Sequence, residues 1–236
     1  MTPARTLVAL ATYNEIENLP SLVAEVLRVL PEADVLVVDD NSPDGTGKWC
    51  DEQSQVEPRL HCIHRSGKLG LGTATLAAAR FAIERDYEIF VTLDADWSHD
   101  PKHLAELLST LHNADVAIGS RYCSGGEIEG WPMSRRVMSR WVNGLTHLLL
   151  RLPVRDASGA FRAYRVAKLR DVRLNDIRAT GYSYLEELLW HLHRAGATFA
   201  EVPITFRERR AGASKISFRE AWGKLGTIIR LSRITK

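Results

Sequence analysis

Five short, mostly apolar runs punctuate the first half of the chain, at residues 6–11, 35–38, 60–64, 90–93 and 116–119, and helical patterns alternate with them. Apolar runs of this kind are buried on both faces, and their alternation with helices predicts an α/β fold: a mostly parallel central sheet with helices on both faces. In such sheets ligands bind outside the carboxyl ends of the strands. The polar clusters at 12–15, 39–46 and 94–100 all fall there. Three separate segments therefore bring acidic and polar groups to one rim.

The first helix is expected just after Thr12-Tyr13-Asn14-Glu15, with Asn14 as its N-cap and Glu17 closing a capping box. Ile16, Leu19, Val23, Val26, Leu27 and Leu30 then recur at helical spacing. Past residue 120 the alternation fades. A basic helix at 133–150 sets Arg135, Arg136 and Arg140 beside an apolar stripe that includes Val137, Met138, Trp141 and Leu149. Residues 156–165 read as a loop into a strand, 182–194 as a helix bearing Glu186 and Glu187, and 201–206 as a short strand. Ser217 with Glu220 forms a second capping box for a last helix, which carries Phe218, Trp222, Leu225, Ile228 and Ile229 on one face. No repeat or linker interrupts the 236 residues, so one domain is expected.

The chemistry concentrates at Asp94-Ala95-Asp96. Two carboxylates one residue apart share a side of an extended chain and can converge on one point in the following turn. They offer hard oxygen ligands suited to Mg²⁺ or Mn²⁺, although Asp pairs also serve as turn formers and caps. Asp100 before Pro101 is explained as a helix cap with proline at the first helical position. His61 and His64 flank Cys62 on a predicted strand, which reads as a sheet edge rather than a metal site. Gly67, Gly70 and Gly72 lack phosphate-loop or dinucleotide-fingerprint spacing and read as a loop over a bound donor or as turn chemistry. Asp39 either meets a ligand or ends its strand.

A formal charge of +2 argues against nucleic-acid binding, yet residues 205–236 hold nine Lys/Arg against two Asp/Glu. Three cysteines without CxxC spacing imply free thiols and a cytosolic or cytosol-facing protein. No signal peptide or window of about 20 apolar residues is visible.

Seven ordered motifs resemble the dolichol-phosphate mannose synthases, which are family 2 glycosyltransferases with a GT-A-type fold. They are Thr12-Tyr13-Asn14-Glu15, residues 39–46, residues 68–73, Asp94-Ala95-Asp96, Gly119-Ser120-Arg121-Tyr122, Ser158-Gly159-Ala160-Phe161-Arg162 and Gly212-Ala213-Ser214-Lys215. The resemblance implies transfer of mannose from GDP-mannose to a polyprenyl (dolichyl) phosphate with inversion, using Mg²⁺ or Mn²⁺. Residues 1–122 would be the nucleotide-sugar-binding half, 123–215 the acceptor side and 216–236 an amphipathic helix.

Carried over by position, the resemblance puts the donor nucleotide at Tyr13, Glu15 and Asp40, with Ala11, Val38 and Ala95 beside it, and the metal and diphosphate on Asp94 and Asp96. Arg121, Arg209 and Lys215 match the family's basic residues around diphosphate and acceptor phosphate, and Arg135 and Arg136 are further candidates for that phosphate. Glu187 matches an acidic position that would support an arginine near it. Three departures stand out: Ala11 for a usual Pro, Trp97 for a usual Leu, and Ser98 where some members place a glutamine metal ligand.

Alternatives are transfer from UDP-glucose or another nucleotide sugar to the same acceptor class, and a non-catalytic nucleotide-sugar-binding protein. The last helix suits either an anionic membrane surface or packing on its own domain. The expected placement is peripheral, on the cytosolic face of a membrane, with a small membrane subunit as one means of anchoring.

Overall fold

The computed structural model describes residues 4–208 and 218–234, with side chains in the second segment from Gly223 onward. The chain runs β1 (Thr6–Thr12), α1 (Leu19–Val29), β2 (Asp34–Asp39), α2 (Thr46–Ser54), β3 (Leu60–His64), α3 (Leu71–Glu84), β4 (Ile89–Asp94), α4 (Leu104–Thr110) and β5 (Val116–Ser120). It continues with β6 (Glu127–Ile128), α5 (Met133–Leu150), β7 (Arg162–Arg165), α6 (Val166–Arg170), α7 (Tyr184–Arg194), β8 (Phe199–Pro203), β9 (Thr205–Phe206) and α8 (Phe218–Ile234).

Seven strands form one sheet in the order β3-β2-β1-β4-β7-β5-β8, and β6 pairs with β9 apart from it. All pairings in the large sheet are parallel except those of β7, which runs antiparallel to both β4 and β5. That strand follows the loop 156–161, so it enters from the rim opposite to the one the first four strands use.

Alternate residues of each strand feed two cores. Val8, Leu10, Val35, Val37, Val91 and Leu93 pack under α1, α2 and α4. Leu7, Ala9, Leu36, Val38 and Phe90 pack under α3, α6 and α7. Burial on both faces explains why these strands are apolar without a polar alternation.

One helix start differs from expectation. Asn14 adopts a left-handed φ of 57°, and α1 begins only at Leu19. The intervening turn is held instead by Asn18 and Leu19 N–H groups donating to the Glu15 carbonyl, so the capping box of Asn14 and Glu17 does not form. The Asp100 cap is present: its carboxylate accepts from Lys102 N–H at 3.0 Å, with Pro101 next in the chain. Ser217 lies outside the described residues.

The last helix packs on its own domain along the part described. Ile228 and Leu231 are buried in the main core, and Lys224 and Arg230 reach Glu186 and Glu187 of α7 at 3.0 and 2.6 Å. Both glutamates are almost fully buried. Glu186 and Glu187 therefore tie α7 to α8, and the arginine that Glu187 holds is Arg230. Trp222's side chain lies outside the described residues.

Candidate active site

The first three strands of the central group, β2, β1 and β4, end at one rim, and β1 lies between the other two. In register, Ala11 sits beside Val38 on one side and Asp94 on the other. The polar residues at and just past these strand ends lie along this rim. They surround a cleft of about 180 Å³ lined by Ala11, Tyr13, Glu15, Asp40, Asp94, Ala95 and Asp96, and closed by Lys68, Gly70 and Tyr182. The structure thus brings together seven residues drawn from three separate segments. Small side chains at Ala11 and Ala95 form the floor between the carboxylates. Val38 does not reach the cleft: it is buried in the core beneath it, where strand alternation points it.

Asp40 is held rather than free. Arg65 Nε donates to it at 2.5 Å and Leu69 N–H at 3.1 Å, which leaves the carboxylate fixed at the wall of the cleft. Glu15 accepts from Asn18 Nδ2 at 3.0 Å. Lys68 Nζ stands 4.7 Å from the centre of the Tyr13 ring, so a cation caps the aromatic wall. Asp39 turns away from the cleft, accepting from Thr12 Oγ1 and from Ser42 Oγ and N–H, and its role is to close the loop.

The glycine loop is explained by close packing. A Cβ on Gly70, whose φ is +100°, would meet the Thr180 carbonyl oxygen at 2.5 Å. Gly72 N–H donates to that same carbonyl at 2.8 Å. The loop therefore lies against residues 179–182 and brings Lys68 and Tyr182 to the mouth of the cleft.

At the end of β4 the chain turns so that both carboxylates meet the cleft. Asp96 accepts from Ser98 N–H at 3.0 Å, and Trp97 between them takes a left-handed φ of 63°. That conformation costs a bulky residue on the order of 1–3 kcal/mol and persists only where its surroundings hold it. Trp97 is held by its indole N–H, which donates to Ser21 Oγ of α1 at 3.1 Å, so its ring points toward α1. Ser98 Oγ is buried with no hydrogen-bond partner among the described residues. Two acidic side chains and an orphaned hydroxyl within one tight turn fit a divalent cation that takes its remaining ligands from water or phosphate.

His99 is a functional neighbour that sequence reasoning missed. It is buried between Phe161 and Phe206, and its Nδ1 accepts from the Asp94 backbone N–H at 3.2 Å. Burial pushes its pKa down to about 4, which keeps the ring neutral at physiological pH. The ring thereby fixes the backbone of the first carboxylate. Only its position five residues after Asp94 hinted at this.

The basic residues are placed differently from the acidic ones. Arg121 is buried and donates through Nε and Nη2 to Asp156, each at 2.7 Å, and through Nη2 to Ser158 Oγ at 2.8 Å. Burial alone would push its pKa down, but Asp156 raises it and keeps the charge. It feels the Asp94 carboxylate without lining the cleft. Arg121 is therefore the centre of a buried ion pair with Asp156. Arg135 stacks on Trp131 at 3.9 Å and meets Glu208 at 3.4 Å, and Arg136 Nε donates to the Trp131 carbonyl. Both stand on the first turn of α5, outside the cleft lining. Arg209 and Lys215 lie outside the described residues.

Residues 7–173 match the sequence profile of glycosyl transferase family 2. An undecaprenyl-phosphate mannosyltransferase of Micrococcus luteus is 44% identical over 214 residues, covering 90% of this chain and 88% of its own. A polyprenol monophosphomannose synthase of Mycolicibacterium smegmatis is 42% identical over 243 residues, covering 98% and 92%. Among solved structures, a glucosyl-3-phosphoglycerate synthase of Mycobacterium tuberculosis, in complex with Mn²⁺, UDP and glucosyl-3-phosphoglycerate, superposes with a TM-score of 0.70 at 17% identity, over 97% of this chain and 80% of that one. A mannosyltransferase of Pyrobaculum calidifontis in complex with GDP-Man and Mn²⁺ gives 0.60 at 17% identity, over 98% and 64%. The last two likenesses concern the fold alone. With strand-end carboxylates at a switch in strand order and sequence agreement over most of its length, this chain belongs to glycosyl transferase family 2 and has the GT-A-type fold.

Proposed function

We propose that this enzyme transfers mannose from GDP-mannose to a polyprenyl phosphate, with inversion at the sugar carbon. The observation that carries this reading is the agreement, at 42–44% identity over most of the chain, with two relatives whose names specify mannose and a polyprenyl acceptor. The cleft supplies the matching chemistry: an aromatic and acidic wall at Tyr13, Glu15 and Asp40 for a nucleoside, and carboxylates at Asp94 and Asp96 for a metal-bound diphosphate.

Asp94 and Asp96 would hold Mg²⁺ or Mn²⁺, with Ser98 Oγ within the same turn; the ion supplies Lewis-acid neutralisation of the departing diphosphate. His99 fixes the Asp94 backbone, and Trp97 ties the turn to α1, so the carboxylates keep their positions as charge builds. The acceptor is a phosphate monoester with a second pKa of about 6, so it is largely dianionic at neutral pH and needs no protein base. It needs cations against a second anion. Arg135 and Arg136 at the positive end of α5 are the proposed contacts, together with Arg209 and Lys215.

The acceptor's lipid tail calls for a membrane surface. Met133, Val137, Met138, Trp141 and Leu148 of α5 are all more than half exposed, and Arg140 beside them is exposed. An apolar stripe with basic neighbours suits shallow insertion among anionic headgroups. No helix among the described residues is long and apolar enough to cross a membrane. We place the protein as a peripheral enzyme on the cytosolic face, with α5 as its docking element and a small membrane subunit as a possible partner.

The test is incubation with polyprenyl phosphate in liposomes, Mg²⁺ or Mn²⁺, and separately labelled GDP-mannose, UDP-glucose and UDP-N-acetylglucosamine. Lipid-linked label from GDP-mannose alone is the expected result. Transfer from a uridine donor instead would reassign the substrate, and no transfer from any donor would overturn the enzyme reading.

A further inference from the structure

The edge strand β3 carries a second cluster of metal-ligating side chains away from the cleft lining. Cys62 and His64 are two residues apart on it, so their side chains share one face. Helix α2 lies against this strand and adds Asp51. One ligand atom from each of Asp51, Cys62 and His64 lies within 4.8 Å of the others. His64 Nε2 is 2.8 Å from Asp51 Oδ1. None of these groups takes part in the reaction described above.

We propose that Asp51, Cys62 and His64 form a binding site for a borderline-soft divalent transition metal of the Zn²⁺ class, separate from the carboxylate pair at Asp94 and Asp96. The ligand chemistry makes the distinction. A thiolate and an imidazole select zinc-like ions, whereas Mg²⁺ and Mn²⁺ favour oxygen ligands. Three protein ligands leave a fourth position for water. Zn–N and Zn–O bonds of about 2.0 Å and a Zn–S bond of about 2.3 Å place tetrahedral ligands roughly 3.3–3.5 Å apart. Closing the cluster therefore requires changes in separation of up to about 1.5 Å between side chains that are half exposed at Asp51 and His64. In the metal-free protein those two share a proton, and the ion takes its place.

The surroundings favour this arrangement. Gly47 leaves the space that the imidazole occupies: a Cβ there would come within 3.2 Å of the His64 ring and 3.0 Å of Asp39 Oδ2. Cys50, fully buried behind Cys62, lies within hydrogen-bonding reach of it. Its thiol donates to the His61 carbonyl at 3.9 Å. On binding, the Cys62 thiol proton and any proton on His64 leave to solvent, and three bonds to the ion replace them. Bound metal would also fasten α2 to the sheet edge.

The experiment is titration of the reduced full chain with Co²⁺, in millimolar Mg²⁺ to occupy the cleft, followed by displacement with Zn²⁺. A near-ultraviolet thiolate-to-cobalt charge-transfer band is expected. It should disappear in Cys62→Ser, persist in Cys123→Ser, and require at least about tenfold more Co²⁺ in His64→Asn and in Asp51→Asn. Zn²⁺ should raise the melting temperature of the parent chain, with a smaller rise in His64→Asn. Absence of the band, its persistence in Cys62→Ser, or unchanged affinity in both His64→Asn and Asp51→Asn would overturn the site. If Cys62→Ser does not fold, the His64 and Asp51 variants decide.

Discussion

The acidic and the basic side chains of this enzyme are placed on opposite plans. Asp94 at the end of β4 and Asp96 in the turn after it line the cleft, with the Asp94 N–H donating to His99 and Asp96 accepting from Ser98 N–H. Arg121, equally prominent in sequence, is enclosed with Asp156 and Ser158 between Tyr122, Trp131 and Phe206, and its charge is answered inside the protein. A carboxylate that is to receive a cation can stay at a rim. An arginine that organises loops from β5, the 156–161 segment and α5 must be buried, and burial demands a counter-charge. Asn143 of α5 extends the same network, donating to Ser158 Oγ and accepting from Ala157 N–H.

The contrast can be broken most forcefully at Arg121. Arg121→Ala leaves Asp156 buried and unpaired and should cost about 3–5 kcal/mol in denaturant unfolding. Paired replacement by Arg121→Met with Asp156→Leu should recover much of that loss, whereas an Arg121 acting only on substrate would leave stability unchanged in either variant.

Acid probes the same pair. Burial pushes the Asp156 carboxyl up, but the charge and hydrogen bonds of Arg121 outweigh it and hold the group at about 2, against an ordinary 3.8. The unfolded chain therefore binds the proton first, and stability falls as pH drops. The contribution, roughly 2 kcal/mol, is fully present above about pH 4 to 5 and lost as pH falls through 2. Unfolding midpoints for wild type and Asp156→Asn should show the parent losing more stability across that window.

The α5 stripe tests the exposed side of the second half. Val137→Ser with Trp141→Ser should weaken binding to anionic liposomes by about tenfold or more while shifting unfolding by less than about 0.5 kcal/mol, because the residues are exposed in the free protein. Unchanged liposome binding would remove α5 as the docking element. The smallest effect is expected at Trp97→Phe, which removes the indole donor to Ser21 and should cost about 1 kcal/mol in unfolding.

What the sequence made legible follows from the range of the interactions. The strands and the rim they create are visible because continuous apolar runs and polar strand ends are local patterns, and Tyr13, Glu15, Asp40, Asp94, Ala95 and Asp96 do meet at one cleft. The α1 start was displaced because the Glu15 carbonyl, rather than a side-chain cap, closes the preceding turn. The fates of Arg121, Glu186 and Glu187 depend on partners 35 to 43 residues away, and no local pattern announces them. Lys68 belongs to a motif that was visible, yet its place over Tyr13 depends on glycines packing against Thr180. His99 was hidden by the cap beside it, since Asp100-Pro101 accounts for that stretch without a role for the imidazole.

The most direct test of the account compares Asp96→Ala with wild type in transfer of labelled mannose from GDP-mannose to liposomal polyprenyl phosphate, with melting temperatures measured on the same samples. The account predicts a loss of more than about 100-fold in transfer that exceeds any effect on melting, because Asp96 lines the cleft where the metal-bound diphosphate would sit. Wild-type transfer in Asp96→Ala would contradict it.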